Sequence, residues 1–340
     1  MQSYLFVLLL FCETILSCRP DVGRNRVLAA EISGPNLPKP DMTPRTVSEV
    51  IFQSDDAGTT WKDISFGLPD DDRPNTIGSS NGVIYIGMNN GVLHNAAVNG
   101  IWEKEELFDE TIFEIYPGSA GPYVLTQWNG LYQNLLGAVW VPMHKNLKDR
   151  SLQTAYETTQ GVLLVGCENG ISRSATKGNV WEKVTTGYDV KTFWESNGVL
   201  IAGCRNGLLR SVDGGLTWEP VLKTQQAIFT VRSIDNELIA LVENFQNDDN
   251  TVVTRLIYRS IDNGVSWQCI NDSLPTELLS MYELERVGNH LVACSNAGIF
   301  RSADRGKTWE KIHDAPPQKN NFYRMTVSGQ SIYLLVSTGC

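Results

Sequence analysis

The chain has 340 residues, of which 42% are hydrophobic and 19% are charged. Its 28 lysines and arginines are outnumbered by 38 aspartates and glutamates, and the formal net charge is −10. This acidic balance argues against nucleic acid or an anionic membrane surface as the main partner. A length of this size predicts one large domain or two of average size.

The N-terminal residues carry an apolar run from Tyr4 to Cys12. The run is shorter than the roughly 20 residues of a transmembrane helix, and it resembles the apolar region of a secretory signal. The following Ile15-Leu16-Ser17-Cys18 resembles a bacterial lipobox, although Glu13 interrupts the apolar run and no basic residue precedes it. We predict a signal peptide over 1–17, lipidation at Cys18 and an exported protein of the periplasm or cell envelope. The alternative is an ordinary cleaved signal with an incidental cysteine.

Residues 18–46 contain five prolines and little periodicity, which predicts a tether. A propeller domain is predicted over 47–340. The cysteines that follow Cys18 are odd in number and lack the spacing of a disulfide framework. No Cys-x-x-Cys pair or His-Cys cluster is present in the sequence, so no metal or cofactor is expected.

Repeats are the main signal in this sequence. Five segments align: SDDAGTTW (54–61), SATKGNVW (174–181), SVDGGLTW (211–218), SIDNGVSW (260–267) and SADRGKTW (302–309). Four fit Ser-x-Asp-x-Gly-x-Thr/Ser-Trp, and the second has Thr176 in place of Asp. With two weaker copies ending at Trp102 and Trp140, the tryptophans recur every 37 to 49 residues. This period is typical of one four-stranded propeller blade. The predicted structural residues are Ser54, Asp56, Gly58, Trp61, Ser211, Asp213, Gly215, Trp218, Asp262, Gly264, Trp267, Asp304, Gly306 and Trp309.

The residue types of this eight-residue segment are those that form and anchor a turn. Its Asp can accept hydrogen bonds from backbone N–H groups, its Gly supplies a positive φ, and its Trp anchors the turn in the adjoining sheet. We therefore interpret these aspartates as structural rather than as metal ligands.

Two strands joined by an Asn/Gly turn precede each segment, as in GVLIAGCRNGLLRS (198–211). Six complete repeats follow one another. The chain ends with two further strands over 323–336, and the domain begins with two over 48–64. Joined, these would make a seventh blade with no free sheet edge. We predict an all-β, seven-bladed propeller of four-stranded antiparallel blades, closed by N- and C-terminal strands in one blade. A six-bladed ring with a loose N-terminal hairpin is the alternative.

On these repeats the sequence resembles the Asp-box, or BNR-repeat, β-propellers over residues 45–340. That superfamily includes sialidases, xyloglucanases, sortilin-type receptors and photosystem II assembly-factor-like proteins. The resemblance implies the scaffold and says little about activity.

The arginine motif that sialidases carry before their first box is absent, since that stretch reads Met42-Thr-Pro-Arg-Thr46. Candidate arginines are Arg205, Arg232, Arg286 and Arg324, and Glu283 and Glu285 share one face of a strand. The positive feature is aromatic, because exposed aromatics at a channel mouth can stack on a sugar or anchor a protein loop. The candidates are Trp128 in a turn and Trp194, Tyr116, Tyr156, Tyr282 and Tyr323 in first strands; the alternative is that these first-strand aromatics pack between blades.

We expect a monomeric, non-catalytic exported propeller that binds a protein or polymer through its channel face, with Trp128, Trp194, Tyr116, Tyr282, Tyr323, Arg232 and Arg324 as binding residues. The alternative is a sialidase-like glycoside hydrolase or a glycan-binding propeller.

Overall fold

The computed structural model describes residues 47–70, 72–96, 101–105, 108–128, 130–135, 137, 139–245, 253–314 and 321–338. The predicted signal peptide, Cys18 and the tether lie outside the described residues. In the described part of the chain, no helix has the length and apolar character needed to cross a membrane.

The described strands form seven four-stranded antiparallel sheets, which confirms the predicted seven-bladed propeller. Two short 3-10 helices, Asn271–Ser273 and Thr276–Ser280, lie between the fifth and sixth sheets. In chain order, blade 1 is β3 (Pro74–Ser80), β4 (Val83–Met88), β5 (Gly91–Ala96) and β6 (Glu103–Glu105); blade 2 is β7 (Ile112–Tyr116), β8 (Tyr123–Thr126), β9 (Leu131–Leu135) and β10 (Val139–Pro142); blade 3 is β11 (Leu152–Glu157), β12 (Leu163–Cys167), β13 (Gly170–Ser174) and β14 (Glu182–Thr185); blade 4 is β15 (Val190–Ser196), β16 (Val199–Cys204), β17 (Gly207–Ser211) and β18 (Glu219–Lys223); blade 5 is β19 (Ile228–Ile234), β20 (Glu237–Phe245), β21 (Val253–Ser260) and β22 (Gln268–Cys269); blade 6 is β23 (Glu283–Val287), β24 (His290–Ser295), β25 (Gly298–Ser302) and β26 (Glu310–Asp314); and blade 7 is β27 (Asn321–Ser328), β28 (Ser331–Thr338), β1 (Ile51–Ser54) and β2 (Lys62–Asp63).

Blade 7 combines both ends of the described chain. Its strand order is β2-β1-β28-β27, and β1 pairs with β28 in the register Ile51↔Leu335 to Ser54↔Ile332. The backbone N–H of Val336 also donates to the carbonyl of Val50 at 2.8 Å. The predicted closure of the ring is therefore confirmed.

The core lies between the blades. All six residues of β16 are buried, because each middle strand is covered on both faces by the neighbouring sheets. A Cβ on Gly203 of this strand would lie 2.6 Å from the carbonyl oxygen of Ile228 in the next blade. Gly203 therefore permits the close approach of blades 4 and 5.

A network of side-chain hydrogen bonds closes each Asp-containing box. In blade 4, Ser211 Oγ accepts the N–H of Gly215 and donates to Asp213 Oδ1, and Asp213 accepts both the N–H and the hydroxyl of Thr217. Trp218 Nε1 donates to the carbonyl of Gly215, whose φ is 82°. Asp56, Asp262 and Asp304 accept the same bonds in their boxes.

The antiparallel order defines two faces of the ring. The boxes and the turns between first and second strands lie on one face, called here the box face. The turns between second and third strands, and the connections from one blade to the next, lie on the opposite face, called here the link face.

Candidate functional site

The first strand of every blade lines the central channel, and the strand pairing aligns their residues in rings. Thr192 pairs with Gly203 and Trp194 with Ile201 in blade 4, and each other blade has the corresponding pairs. The ring nearer the link face contains Thr76, Glu114, Thr154, Thr192, Thr230, Glu283 and Arg324. The ring nearer the box face contains Gly78, Tyr116, Tyr156, Trp194, Arg232, Glu285 and Thr326.

Charged residues of the link-side ring converge on the channel axis. Thr76 donates its hydroxyl to Glu114 Oε1 at 2.6 Å, and Arg324 Nη1 lies 3.7 Å from Glu283 Oε1. Burial lowers the pKa of Arg324, but the carboxylates of Glu114 and Glu283 outweigh this and raise the pKa above its ordinary value. Because a whole blade separates Glu114 from Arg324 around the ring, their interaction places both side chains toward the axis.

Glu283 has an unusual protonation equilibrium. Burial raises its pKa, Arg324 and Arg232 lower it, Glu285 and Glu114 raise it again, and the result is a pKa of about 7. Its Oε2 also accepts the backbone N–H of Met325 at 3.2 Å. This carboxyl can therefore gain or lose a proton near neutral pH.

Arg232 connects three blades in the box-side ring. Its guanidinium lies over the ring of Trp194, 4.9 Å from the centroid, and its Nε donates to Glu285 Oε1 at 2.7 Å. The indole Nε1 of Trp194 is buried and has no hydrogen-bond partner in the described structure. Arg232 thus covers one face of the Trp194 ring.

The structure brings two of the four candidate arginines together. Arg232 and Arg324 share the channel with the three glutamates, and Arg324 Nε is buried without a hydrogen-bond acceptor among the described residues. Arg205 instead pairs at 3.7 Å with Asp189 on the link face, and Arg286 pairs with Asp235 on the box face.

The candidate tyrosines divide between two environments. Tyr116 and Tyr156 occupy the box-side ring, where burial raises the pKa of both, that of Tyr156 to about 12. Tyr282 and Tyr323 lie one position before the link-side ring and pack between blades instead. The hydroxyl of Tyr282 accepts the N–H of Tyr323, and Tyr323 is only 2% exposed.

The positions of Tyr282 and Tyr323 correct the expectation that both line the channel mouth. The strand periodicity of two accounts for the difference, since a shift of one residue turns a side chain away from the channel and into the blade interface. Burial also raises the pKa of Tyr282, and it raises the pKa of Tyr323 to about 12. Because the pKa is raised in all four phenols, none of them is ionised at neutral pH.

Exposed aromatics mark the link face. Trp128 is 76% exposed in the turn after β8, where the N–H of Gln127 donates to the carbonyl of Thr111. Phe113 and Phe229 are also exposed, at equivalent positions in β7 and β19. Phe66, in the connection from blade 7 to blade 1, is exposed as well.

Phe66, Phe113 and Phe229 were not among the binding residues expected from the sequence. Phe113 and Phe229 stand one position before a ring residue, where blades 1, 3 and 4 carry Asn75, Gln153 and Lys191. An aromatic residue at this position does not by itself indicate exposure, because Tyr323 occupies it in blade 7 and is buried. Among the described residues, no group of three or more His, Cys, Asp or Glu side chains is arranged to hold a metal ion.

Comparison with known proteins agrees with this geometry. A family model for the BNR-Asp box repeat matches residues 299–312, which cover most of β25 and the following box. No curated protein sequence matches the chain.

Several solved structures have a similar fold. YCF48 from Cyanidioschyzon merolae is 12% identical with a TM-score of 0.57, and the match covers 79% of this chain and 97% of that one. YCF48 bound to D1 peptide is 14% identical with a TM-score of 0.56, over 80% and 96% of the two chains. An ancestral GH74 enzyme is 13% identical with a TM-score of 0.51, over 79% of this chain and 48% of that one.

At such identities the likeness concerns the fold alone. The matched repeat, the closed boxes and the ring of seven sheets point to the same architecture. This protein is a seven-bladed β-propeller in which residues 299–312 match the BNR-Asp box repeat.

Proposed function

We propose that this protein is a non-catalytic binding scaffold that holds a segment of a partner protein on its link face, with Trp128 as the anchor. The observation that carries the proposal is the exposure of Trp128, whose indole is 76% accessible in a short turn. A large aromatic side chain exposed on a rigid support loses little entropy when it is buried by a partner.

The surroundings of Trp128 favour a protein partner. Phe113 lies on the first strand of the same blade and is exposed, so blade 2 offers two aromatic contacts on one face. Arg232 and Arg324 are already engaged with Glu285 and Glu283 deeper in the channel. The aromatic link face therefore supplies the contact area, and the charged channel supports the first strands.

A propeller of similar fold, YCF48, has been solved with a bound D1 peptide. That structure is a precedent for peptide binding by such a fold, and the identity of the partner here is left to experiment.

The alternative, a glycoside hydrolase, rests on Glu283. Hydrolysis of a glycosidic bond requires two carboxyl groups, one of them protonated, and Glu283 has a pKa of about 7 near Glu114 and Glu285. Against it, arginines pair with Glu283 and Glu285, and the phenols nearby have raised pKa values. A phenol that stays protonated is a poor nucleophile.

Binding is tested by capture and titration. The full chain is expressed, its partner is captured by crosslinking and identified by mass spectrometry, and the affinity is measured by biolayer interferometry. Trp128→Ala should weaken binding by about tenfold or more without changing the melting temperature. Ile261→Ala is the matched control, because Ile261 is 72% exposed but lies on the box face. Equal affinity of Trp128→Ala and the wild type would reject the proposal.

The hydrolase alternative has its own assay. Purified protein is incubated with a fluorogenic sialoside beside Arg232→Ala and Arg324→Ala. We expect no turnover by any of the three proteins. Turnover by the wild type that is lost in either variant would establish the enzyme instead.

We also propose that the scaffold lies outside the cytoplasm, because residues 1–17 resemble a secretory signal and Cys18 follows them. Metabolic labelling with palmitate and cell fractionation test this part. Label in the wild type but not in Cys18→Ala would support a lipid anchor, and an unlabelled cytoplasmic protein would reject both export and anchoring.

A further inference from the structure

A concave site lies on the box face, opposite the surface that carries Trp128. It is a cavity of about 300 Å³ between blades 5 and 6. Ile234, Leu291 and Ala303 form its apolar lining, and Asp235, Arg286, Asn289 and Arg305 supply its polar groups. The site combines an apolar surface with two guanidinium groups.

The two arginines share one carboxylate. Arg286 Nη1 lies 2.5 Å from Asp235 Oδ1, and Arg305 Nε lies 3.2 Å from Asp235 Oδ2. The hydrogen bond from Arg286 lowers the pKa of Asp235, so the carboxylate stays ionised at neutral pH. Two positive charges and one negative charge leave the cavity with one uncompensated positive charge.

Several donors at this site remain unused. Arg286 Nε donates to the carbonyl of Gly288, and its Nη1 is committed to Asp235. Within the described residues, Arg286 Nη2 and both Nη atoms of Arg305 donate no hydrogen bond, and Arg305 is 78% exposed. These terminal nitrogens are the donors that hold carboxylate, sulfate or phosphate groups in proteins.

This interface is charged where the preceding interface between blades is neutral. At the preceding interface, a neutral pair takes the same place, since Asn197 Nδ2 of blade 4 lies 3.4 Å from Asn263 Oδ1 of blade 5. Asp235 and Arg305 occupy the corresponding turn and box positions one blade later. At the position of Arg286, Glu157 and Glu195 accept the backbone N–H groups of Ser119 and Thr159 from the preceding blades. Arg286 therefore places a cation where two other interfaces have a carboxylate.

We propose that the cavity binds an oxyanion, a carboxylate or a sulfate or phosphate group, carried by a small molecule with an apolar body. The oxyanion lies against the free nitrogens of Arg286 and Arg305, and the apolar body contacts Leu291 and Ala303. Asp235 competes with the ligand for the same guanidinium groups.

Because Asp235 competes with the ligand for the arginines, replacing Arg305 and replacing Asp235 should change the affinity in opposite directions. Binding of benzoate to the full chain is measured by saturation-transfer NMR, and acetate, sulfate and phosphate are added as competitors. Arg305→Gln should weaken benzoate binding by about fivefold. Asp235→Asn should strengthen it by about threefold, because the competing carboxylate is lost while Asn still accepts the left-handed backbone at φ 55°.

Arg259→Gln is the matched control, since Arg259 pairs with Glu237 alone in blade 5 and does not line the cavity. Benzoate stronger than acetate supports the apolar lining, and the stronger of acetate and sulfate identifies the class of oxyanion. Unchanged binding in both Arg305→Gln and Asp235→Asn, or an equal loss in Arg259→Gln, would overturn the proposal. Trp128→Ala should leave benzoate binding unchanged, so failure here is distinguishable from failure of the scaffold function.

Discussion

Arg232 lies 4.9 Å above the ring centroid of Trp194, which holds the same register position one blade earlier. The same guanidinium reaches forward to Glu285 in the following blade. One side chain therefore joins blades 4, 5 and 6 at the channel. Because the contacts are part-buried, removing one partner leaves the other charge poorly solvated, which costs more than breaking an ion pair on the open surface.

Replacing Arg232 should lower the stability of the protein, because this junction is lost. Arg232→Met keeps most of the volume but leaves Glu285 without its cation, so we expect a loss of about 2 kcal/mol in the free energy of unfolding. Adding Glu285→Gln should recover about half of the loss, because the uncompensated charge is gone. Urea denaturation of both single variants and the double variant measures the coupling. Arg205→Met, at an exposed pair, should change stability by less than about 0.5 kcal/mol, and additive single effects at Arg232 and Glu285 would contradict the interpretation.

Glu283 should give the protein a pH-dependent stability. Its pKa is about 7 in the folded protein and 4.5 in the reference state, so the folded state holds the proton more tightly. The stability from this group is full below about pH 4.5, falls as the pH rises to about 7, and is constant above. Glu283→Gln, which mimics the protonated acid, should flatten that part of the profile. Urea unfolding at about pH 5 and about pH 8 tests this, with Glu277→Gln as an exposed control, and an unchanged slope in Glu283→Gln would disprove it.

Asp213 should stabilise the fold by accepting hydrogen bonds within its turn and not by binding a metal ion. Asp213→Ala removes the acceptor for both groups of Thr217, and we expect a loss of about 1–3 kcal/mol. Asp272→Ala, at an exposed position without such bonds, should have little effect. Thermal melts with and without calcium are the measurement. A melting temperature that calcium raises in the wild type but not in Asp213→Ala would indicate a metal site.

Asp213 should also make the stability of the protein depend on pH in the acid range. Burial raises its pKa, but the bonds from Thr217 outweigh this and lower the pKa of Asp213 to about 2, against 3.8 in the reference state. A depressed pKa contributes stability above about pH 4, and that contribution is lost as the pH falls through about 2. Asp213→Asn should therefore be less stable than the wild type near neutral pH, and this difference in stability should become smaller in strong acid. Unfolding followed by circular dichroism across the pH range measures it. A difference in stability that is constant with pH would reject the role of the charged form.

Deletion of residues 325–340 should open the ring. It removes β28 and the second half of β27, and β1 then loses the partner that holds it from Ile51 to Ser54. Exposed edges and lost apolar burial should replace the single melting transition by a broad one at lower temperature. Deletion of 339–340 alone is the control. A sharp, unshifted transition in the longer deletion would contradict the closure.

The sequence by itself determined the repeating unit. The Ser-Asp-Gly-Trp pattern acts over eight residues, through bonds such as those of Asp213 to Thr217, so its geometry follows from local chemistry. The period of the tryptophans and the half-blades at the two ends then predicted the number of blades and their closure. Strand pairing within a blade is also nearly local, which is why the meander could be predicted.

Only the tertiary structure decided which side chains meet in the channel. Glu114, Arg232, Glu283 and Arg324 are far apart in sequence and lie in four different blades, and no local pattern marks their encounter. Their contacts depend on the register of each first strand. Arg324 lines the channel, whereas the adjacent Tyr323 lies in the blade interface. Curvature of the ring, set by packing of whole sheets, brings them together, so their protonation and pairing are properties of the assembled propeller.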